Sequence, residues 1–445
     1  MQQAARAVAA VMLLIAPSLA FAAGGAFAGP TVAGIPVEFV FFAATLLSVA
    51  LFHHHTMPIA VTGATVIALY KMLFSPFRTG TGLAGFFAHL GHEWVILANL
   101  AMLLLGFGLL ARYFEESRVP AILPKYLPND WKGGFVLLVL VFVLSGFLDN
   151  IAAAMIGGAV AATVFRGKVH IGYLAAIVAA SNAGGAGSVV GDTTTTMMWI
   201  SGISPQEVVE AYIASAVALV IFGVLAARQQ HALHPIEREA EVNVRIDVWS
   251  LAVVGFILAA AVSVNVLVNL RWNELADSFP FIGVAVWMAI FIGGHIRRPD
   301  WRLIPLSLRG TIFLLSLVLA ASMMPVEELP AASWQTALGL GFVSAVFDNI
   351  PLTELAIKQG GYDWGFLAYA VGFGGSMIWF GSSAGVAISN MFAQARSVGQ
   401  WLRHGWHVAL AYVIGYFVML ALIGFHPGST PRGSVAAPPA VQHSK

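Results

Sequence analysis

Runs of apolar residues long enough to cross a lipid bilayer recur along the whole chain, and they constrain its fold more than any other feature. Hydrophobic residues make up 59% of the sequence and charged residues only 10%. The chain is therefore predicted to be an all-α polytopic membrane protein. The candidate full spans are residues 37–52, 58–74, 94–111, 207–227, 248–270, 281–294, 303–323 and 407–425.

Charge and cysteine content exclude several classes of function. The net charge is +1, which offers no basic surface for a nucleic acid, so we expect no nucleic-acid partner. Cysteine is absent, and this excludes disulfides, thiolate chemistry and cysteine-based metal sites. The lipid bilayer is the one large partner that this composition implies.

A signal-like segment, a duplicated region and a polar tail divide the chain. Residues 1–22 follow the charged, apolar and small-residue order of a secretory signal, and the alternative is an uncleaved first helix. We expect the first repeat at 34–227, a cytoplasmic linker at 228–247 and the second, inverted repeat at 248–425. Residues 426–445 contain Pro, Gly and Ser and are expected to be disordered.

The two halves of the chain share a motif inside interrupted apolar segments. Ser-Gly-Phe-Leu-Asp-Asn-Ile at 145–151 is echoed by Ser-Ala-Val-Phe-Asp-Asn-Ile at 344–350. Farther along each half comes a small-residue, polar break, at 181–188 and at 381–385, the second preceded by Gly-Gly-Ser at 374–376. A shared motif with a shared downstream break indicates an internal duplication.

Paired breaks of this kind are typical of the binding sites of membrane transporters. Unwound backbone in hydrocarbon leaves polar groups without partners, so it is tolerated only where protein or a water-filled cavity surrounds it. The breaks also expose helix ends, whose amide N–H groups attract anions and whose carbonyls attract cations. The sequence therefore predicts a secondary active transporter rather than an enzyme.

Loop charge indicates how the halves lie in the membrane. If the Asp-Asn-Ile segments are re-entrant hairpins, Lys and Arg fall mostly in cytoplasmic segments, as at Arg112, Arg228 and Arg297, while Glu327 and Glu328 fall outside. This bias follows the positive-inside rule, and it is lost if the hairpins cross. We expect two inverted repeats of five crossings in a bacterial inner membrane. Each has a re-entrant hairpin and a broken helix, and the C-terminus is periplasmic.

Asp149 and Asp348 are the first candidates for chemistry, because acids inside apolar segments are expensive and mark functional sites. Burial raises the pKa of a carboxyl group in general and a nearby cation lowers it, so such an acid is suited to exchanging a proton for a cation. Asn150 and Asn349 add a carbonyl oxygen and a donor. The alternative is that each Asp only caps a half-helix.

Asp192 follows the first break and precedes four consecutive threonines, Thr193 to Thr196. Carboxylate and hydroxyl oxygens are the ligands that hard cations prefer, although threonines also bond back to helix carbonyls. The second half offers only Ser382 and Ser383 at this place. The residues expected along the substrate path are Ser181, Asn182, Gly184, Gly185, Thr193, Thr194, Ser382 and Ser383.

Other polar residues carry weaker signals. Glu354 lies either near the ion path or at the outer interface with Lys358. His53, His54 and His55 form a short loop without a nearby acid. Glu93, His89 and His92 fall in an amphipathic segment expected at the periplasmic surface, and no special function is expected for them.

Several of these motifs carry a resemblance to a known family. At Asp149 and at 181–185, 191–199, 348–352 and 381–386 the sequence resembles NhaD-type sodium/proton antiporters. The ion-transporter superfamily that contains them also holds citrate, dicarboxylate and arsenite carriers. The resemblance covers roughly residues 95 to 425, and the stretch from Asn-Ala-Gly-Gly to Gly-Asp-Thr-Thr is its most specific part.

The resemblance implies a homodimer, inverted repeats with opposed hairpins and elevator-like alternating access. It implies ion-binding and proton-exchange roles for Asp149, Asn150, Asp192, Asp348 and Asn349. Na⁺ would be bound by the three acids, with Na⁺ and H⁺ as coupling ions and no cofactor.

One departure from the family pattern keeps an alternative open. Where the family often has a threonine run after the first Asp-Asn, this chain has Ile-Ala-Ala-Ala at 151–154. Coupled uptake of citrate or a dicarboxylate is therefore the second hypothesis, although acids at both tips repel a trianion. An intramembrane aspartyl protease and a passive channel fit the paired breaks less well.

Overall fold

The computed structural model describes residues 29–32, 34–52, 55–188, 190–236, 245–272 and 275–435. The signal-like segment, His53, His54, residues 237–244 of the linker and residues 436–445 lie outside this part. A two-stranded antiparallel ribbon, β1 (Thr31–Val32) and β2 (Ile35–Pro36), precedes the helices.

The helices of the first half are α1 (Val37–Leu51), α2 (Thr56–Phe74), α3 (Gly82–Glu116), α4 (Val119–Ile122), α5 (Trp131–Ser145), α6 (Asn150–Val164), α7 (Ile171–Ala186), α8 (Thr193–Ile200), α9 (Pro205–Val209) and α10 (Ala211–Leu233). Those of the second half are α11 (Val248–Arg271), α12 (Phe281–Gly293), α13 (Ile304–Ser322), α14 (Trp334–Ser344), α15 (Asn349–Gln359), α16 (Trp364–Gly374), α17 (Ser383–Met391) and α18 (Val398–Ile423). Short 3₁₀ turns lie at Leu123–Tyr126, Trp301–Leu303, Val326–Glu328 and Ala393–Arg396.

Six helical segments of the described chain are long and apolar enough to cross a membrane. They are α2, α3, the run Pro205–Leu233, α11, the run Trp301–Ser322 and α18. The all-α, multi-pass class predicted from the sequence is confirmed. Helix α3 is much longer than the predicted span 94–111. It begins at Gly82, which follows an extended Thr81 and itself has a φ of +62°, a conformation that glycine adopts without strain.

Each predicted break separates two short helices, and each second helix begins at a side-chain N-cap. The capping oxygen accepts a hydrogen bond from a backbone N–H two or three residues on, which is the usual way to satisfy a helix start. The pairs are Asp149 with Ile151 (3.3 Å), Asp192 with Thr194 (3.4 Å), Asp348 with Ile350 (3.0 Å) and Ser382 with Gly385 (3.3 Å).

The short helices are packed at the centre of the molecule, and matching helices have matching partners. Helix α6 packs on α17 and α15 packs on α8, just as α2 packs on α13 and α12 packs on α3. Helices α1, α2 and α13 share a separate apolar cluster that includes Phe42, Ile67 and Leu317. This correspondence is what a duplication would produce, and the inversion of the halves across a membrane stays a prediction.

Close backbone contacts correct the register predicted between the two breaks. A Cβ added at Gly184 would overlap the carbonyl of Phe142, and one at Gly374 would overlap that of Gly341. The Gly-Gly pair at 184–185 therefore corresponds to the pair at 374–375. The prediction that residues 181–188 correspond to residues 381–385 is wrong. In this register Asp192 still corresponds to Ser382. The repeated sequences differ in loop length, and only the backbone contacts fix their alignment.

The tail differs from the expected disorder over residues 426–435. The backbone N–H of His426 bonds to Asp363, that of Arg432 to the carbonyl of Ser201, and that of Val435 to the carbonyl of Lys358. Backbone hydrogen bonds of this kind hold the segment against the ends of the helices. Its Pro and Gly content suits these turns as well as it suits disorder.

Candidate ion site at the helix breaks

A cavity of about 450 Å³ lies where the starts of α6, α8, α15 and α17 come together. Helices α3 and α13 form its other wall with apolar side chains such as Leu100, Leu103 and Leu314. The cavity extends to Arg112 and Glu115, whose side chains are 41% and 40% exposed, so it is open at that end. Its polar lining residues from the breaks are Asp149, Asn150, Asp192, Thr193, Thr196, Asn349 and Ser383.

Asp192 lies at the centre of this arrangement and is only 2% exposed. Asn150 donates from Nδ2 to its Oδ1 over 3.4 Å, and Asn349 donates from Nδ2 to its Oδ2 over 3.4 Å. Asn150 is the first residue of α6 and Asn349 is the first residue of α15. The starts of one helix from each half of the chain therefore meet at one carboxylate.

The threonines after Asp192 serve different purposes. The hydroxyls of Thr195 and Thr196 each donate to the backbone carbonyl of Asp192 at 2.9 Å, so they stabilise the first turn of α8. Thr193 and Thr196 reach the cavity, whereas Thr194 is fully buried. The expectation that some of the four hydroxyls are structural fits these contacts.

Asp149 and Asp348 do cap their helices, as the alternative hypothesis proposed, yet each uses one carboxyl oxygen for the cap. The second oxygen of Asp348 faces the hydroxyl of Ser383 at 3.5 Å. Asp149 lines the cavity, and both acids are close enough to Asp192 to interact with it electrostatically. Capping and lining are therefore compatible at these positions.

Asn182 joins the two broken helices. Its Nδ2 donates to the hydroxyl of Ser376 at 3.0 Å and to that of Ser382 at 3.1 Å, while its Oδ1 accepts from Asn150 at 3.1 Å. Asn182 has no exposed surface, so it acts on the cavity through Asn150 rather than by lining it. Ser376 was seen only as part of the repeat, because nothing in a lone serine distinguishes this contact.

Several residues predicted along the substrate path lie in the protein interior instead. Ser181 donates to the carbonyl of Val178 at 2.9 Å, and its own carbonyl accepts from the hydroxyl of Ser145 at 2.5 Å. Gly184 and Gly185 pack on backbone, so they allow close approach of helices and do not line the cavity. Gly372, which no sequence pattern singles out, leaves space beside Asp192, since an added Cβ would lie 3.2 Å from Oδ2.

The three acids predicted to bind Na⁺ do not form a compact cluster in this conformation. Among the described residues, no three acidic, histidine or cysteine side chains come close enough together to hold a metal ion. Asp149 and Asp192 line the cavity, whereas Asp348 lies near Asp192 without lining it. Their joint role as sodium ligands stays a proposal.

Other polar residues were assigned to the surface or left open, and the structure places them differently. Glu93, Glu354 and Lys358 form a buried cluster, and His89 bonds to the hydroxyl of Ser322 at 3.0 Å. Glu93 is therefore not a surface residue, because α3 begins well before the predicted span. His55 immediately precedes α2, and the other two histidines of that loop lie outside the described residues.

Known proteins with similar sequences include several that are named sodium/proton antiporters. No family model matches the chain. A protein named sodium/proton antiporter 1 from Arabidopsis thaliana is 28% identical over 306 residues, which cover 59% of this chain and 50% of the relative. The chain thus spans about half the length of that relative.

Bacterial relatives are matched over more of their length. The Na⁺/H⁺ antiporter NhaD of Vibrio parahaemolyticus is 27% identical over 348 residues, covering 66% of this chain and 80% of the relative. The Na⁺/H⁺ antiporter NhaD of Halomonas elongata is 25% identical over 345 residues, which cover 64% of this chain and 66% of the relative. These matches confirm that the chain is similar to NhaD-type sodium/proton antiporters.

Proposed function

We propose that this protein is a secondary active transporter that exchanges a cation, Na⁺, for protons across the membrane, and that it is not an enzyme. The observation that carries the proposal is the position of Asp192, buried at a cavity and held by an asparagine from each hairpin. Asp149 and Asp348 flank it at the hairpin tips. The names of its sequence relatives support the same activity.

The chemistry follows from the charge of the site. Carboxylates in a low-dielectric interior are stable only when a proton or a cation neutralises them. A proton and Na⁺ then compete for the same oxygens, so binding of one releases the other. In this proposal Asp149, Asp192 and Asp348 carry the exchange, while Asn150, Asn349 and the hydroxyls of Thr193 and Ser383 supply neutral oxygen ligands.

The position of the acids also bears on the alternative, uptake of citrate or a dicarboxylate. Helix starts are favourable places for anions, because their N–H groups and dipoles attract negative charge. Here the starts of α6, α8 and α15 each hold an aspartate, which would repel a carboxylate substrate. Exchange of cations is therefore favoured over uptake of an organic anion.

Alternating access completes the proposal. The open end of the cavity at Arg112 lies on the predicted cytoplasmic side, so the present conformation would face inward. The opposed hairpins, the inverted repeats, a homodimer, a bacterial inner-membrane location and a periplasmic C-terminus belong to the same proposal. Elevator-like movement of the hairpins and broken helices would carry the site to the other side.

Reconstituted liposomes test this function against the alternative. The purified protein is placed in liposomes with a pH-sensitive dye inside, and external Na⁺ is added in a pulse. We expect the lumen to become more alkaline with wild type and to stay unchanged with Asp348→Asn. Labelled citrate that accumulates only with a cation gradient, without any sodium-driven pH change, would establish the alternative instead.

A further inference from the structure

Three charged side chains meet in the interior away from the cavity. The Nζ of Lys358 lies 2.7 Å from Oε1 of Glu93 and 3.7 Å from Oε1 of Glu354. The exposed fractions are 3% for Lys358, 4% for Glu93 and 1% for Glu354. Glu93 belongs to α3, whereas Lys358 and Glu354 lie one turn apart on α15. One buried ammonium group therefore faces two buried carboxyl groups.

The two carboxyl groups are not equally satisfied. Glu93 accepts the hydrogen bond from Lys358. Both carboxyl oxygens of Glu354 are buried without a hydrogen-bond partner in the part of the chain that the structure describes. In such a place an ionised carboxylate is much less stable than the neutral acid, because burial removes the water that would solvate its charge.

The surrounding charges do not offset a second carboxylate. The charged groups that act on Glu354 are Lys358, Glu93 and the partly exposed Arg78, which is itself paired with Glu327 at 2.8 Å. His89, on α3, interacts electrostatically with Glu93 and Lys358 and also with Lys71 and His92. Helices α8, α14 and α16, which pack against α15, contain no Asp, Glu, Lys, Arg or His, and α13 contributes only Arg309 near its far end. The 3₁₀ turn Val326–Glu328 also packs against α15, and it adds the negative charges of Glu327 and Glu328.

We propose that Glu354 is a proton-binding site of this protein, separate from the cavity. With a proton on Glu354, the cluster is neutral: Glu93 is negative, Lys358 is positive and Glu354 is an uncharged acid. When Lys358 turns from Glu93 to Glu354, Glu354 gives up its proton and Glu93, which has lost its cation, takes up a proton, so the cluster stays neutral. The ammonium group then neutralises the carboxylate that the proton has left.

The position of the cluster connects this proton to movement of the second hairpin. Lys358, Glu354 and Asn349 are on one helix, whereas Glu93 is on α3. Any displacement of α15 along α3 separates Lys358 from Glu93 and frees it to pair with Glu354. This link to transport rests on the proposed antiport, whereas the proton on Glu354 does not.

Infrared spectroscopy tests the site without any transport. The full-length protein, with its glutamate carboxyl groups labelled with carbon-13, is reconstituted in liposomes at neutral pH without sodium. The label separates the C=O band of protonated glutamic acid from bands of protonated aspartic acid. We expect this band in wild type, its loss in Glu354→Gln, and no change in Glu116→Gln, a control at a side chain that is 40% exposed.

Two further variants test the sharing of Lys358. In Glu93→Gln the ammonium group has one carboxylate left, so the band of Glu354 should disappear. In Lys358→Gln neither carboxyl group has a cation, so the band should increase about twofold as both become protonated. If the Glu93→Gln protein does not fold, the infrared spectrum of Lys358→Gln tests the sharing of Lys358 by itself.

A wild-type spectrum without a band that Glu354→Gln removes would overturn the proposal. So would a band that neither Glu93→Gln nor Lys358→Gln alters. An intact band in a protein that shows no sodium-driven pH change would contradict the antiport and leave the proton site standing.

Discussion

Asn349, in the second half of the chain, donates its side-chain N–H to Asp192 in the first half, with Nδ2 3.4 Å from Oδ2. Asn150 makes the matching contact to the other carboxyl oxygen at 3.4 Å. Asp192 therefore contacts the start of α6 in the first half and the start of α15 in the second half. Protonation of Asp192, or binding of a cation to it, would change the contacts of both helix starts.

Replacing Asn349 with alanine should weaken sodium binding. Loss of one hydrogen bond to a charged group costs about 1.5–3 kcal/mol, which corresponds to at least about a tenfold change in affinity. The sodium concentration that gives half-maximal pH change in liposomes should rise accordingly, and Asn150→Ala should act in the same direction. Asn390→Ala, at an exposed side chain bonded to Arg396, is the matched control. An unchanged half-maximal sodium concentration in both Asn349→Ala and Asn150→Ala would contradict this role of the asparagines.

Asn182→Ala should destabilise the protein more than Ser376→Ala does. The first change removes bonds to Ser376, Ser382 and Asn150, whereas the second removes only one of them. Buried polar groups left without partners cost about 1–3 kcal/mol each, so the difference should be visible as a lower thermal unfolding midpoint in detergent. Equal midpoints for the two variants would mean that Asn182 does not join the broken helices.

A methyl group at Gly184 should be poorly tolerated. The added Cβ would overlap the carbonyl oxygen of Phe142, so α7 would have to move away from α5. Overpacking of this kind costs about 1–3 kcal/mol. Gly255→Ala is the matched control, because nothing lies within 4 Å of a Cβ at that position. The thermal unfolding midpoint is measured for both variants. A decrease of the midpoint in Gly255→Ala as large as that in Gly184→Ala would refute the argument from close packing.

The open end of the cavity can be located by cysteine labelling, since the natural chain has 0 cysteines and needs no background substitutions. Ser307→Cys lies on the cavity wall, and Glu327→Cys lies in the loop predicted on the outside. A membrane-impermeant thiol reagent should label Ser307→Cys only from the cytoplasmic side and Glu327→Cys only from the opposite side. Labelling of both from the same side would exclude the proposed orientation.

The sequence was sufficient to single out Asp149, Asp348 and Asp192 as candidates, because acids inside apolar segments are rare and the first two belong to a repeated motif. It also predicted where the helices break, since small and polar residues interrupt otherwise apolar runs there. The capping role of each Asp and the exchange role proposed for it use different oxygens of the same carboxyl group. A sequence alone cannot separate two such roles.

Other parts of the site required the three-dimensional structure. The apolar wall from α3 and α13 has the composition of any membrane helix, so Leu103 and Leu314 carry no signal. The contact of Asn182 with Ser376 spans 194 positions in the chain, and no local pattern specifies it. Glu93 was assigned to the surface because the start of α3 was placed too late, which hid its pairing with Lys358.

Sodium uptake driven by a pH gradient tests the central claim most directly. Liposomes with an acidic lumen are diluted into radioactive Na⁺ at higher pH, and sodium uptake and lumen pH are recorded together. We expect wild type, and the surface control Asp130→Asn with its side chain 49% exposed, to take up sodium as protons leave, and Asp192→Asn to do neither. Coupled sodium uptake and proton loss that persist in Asp192→Asn would contradict the account.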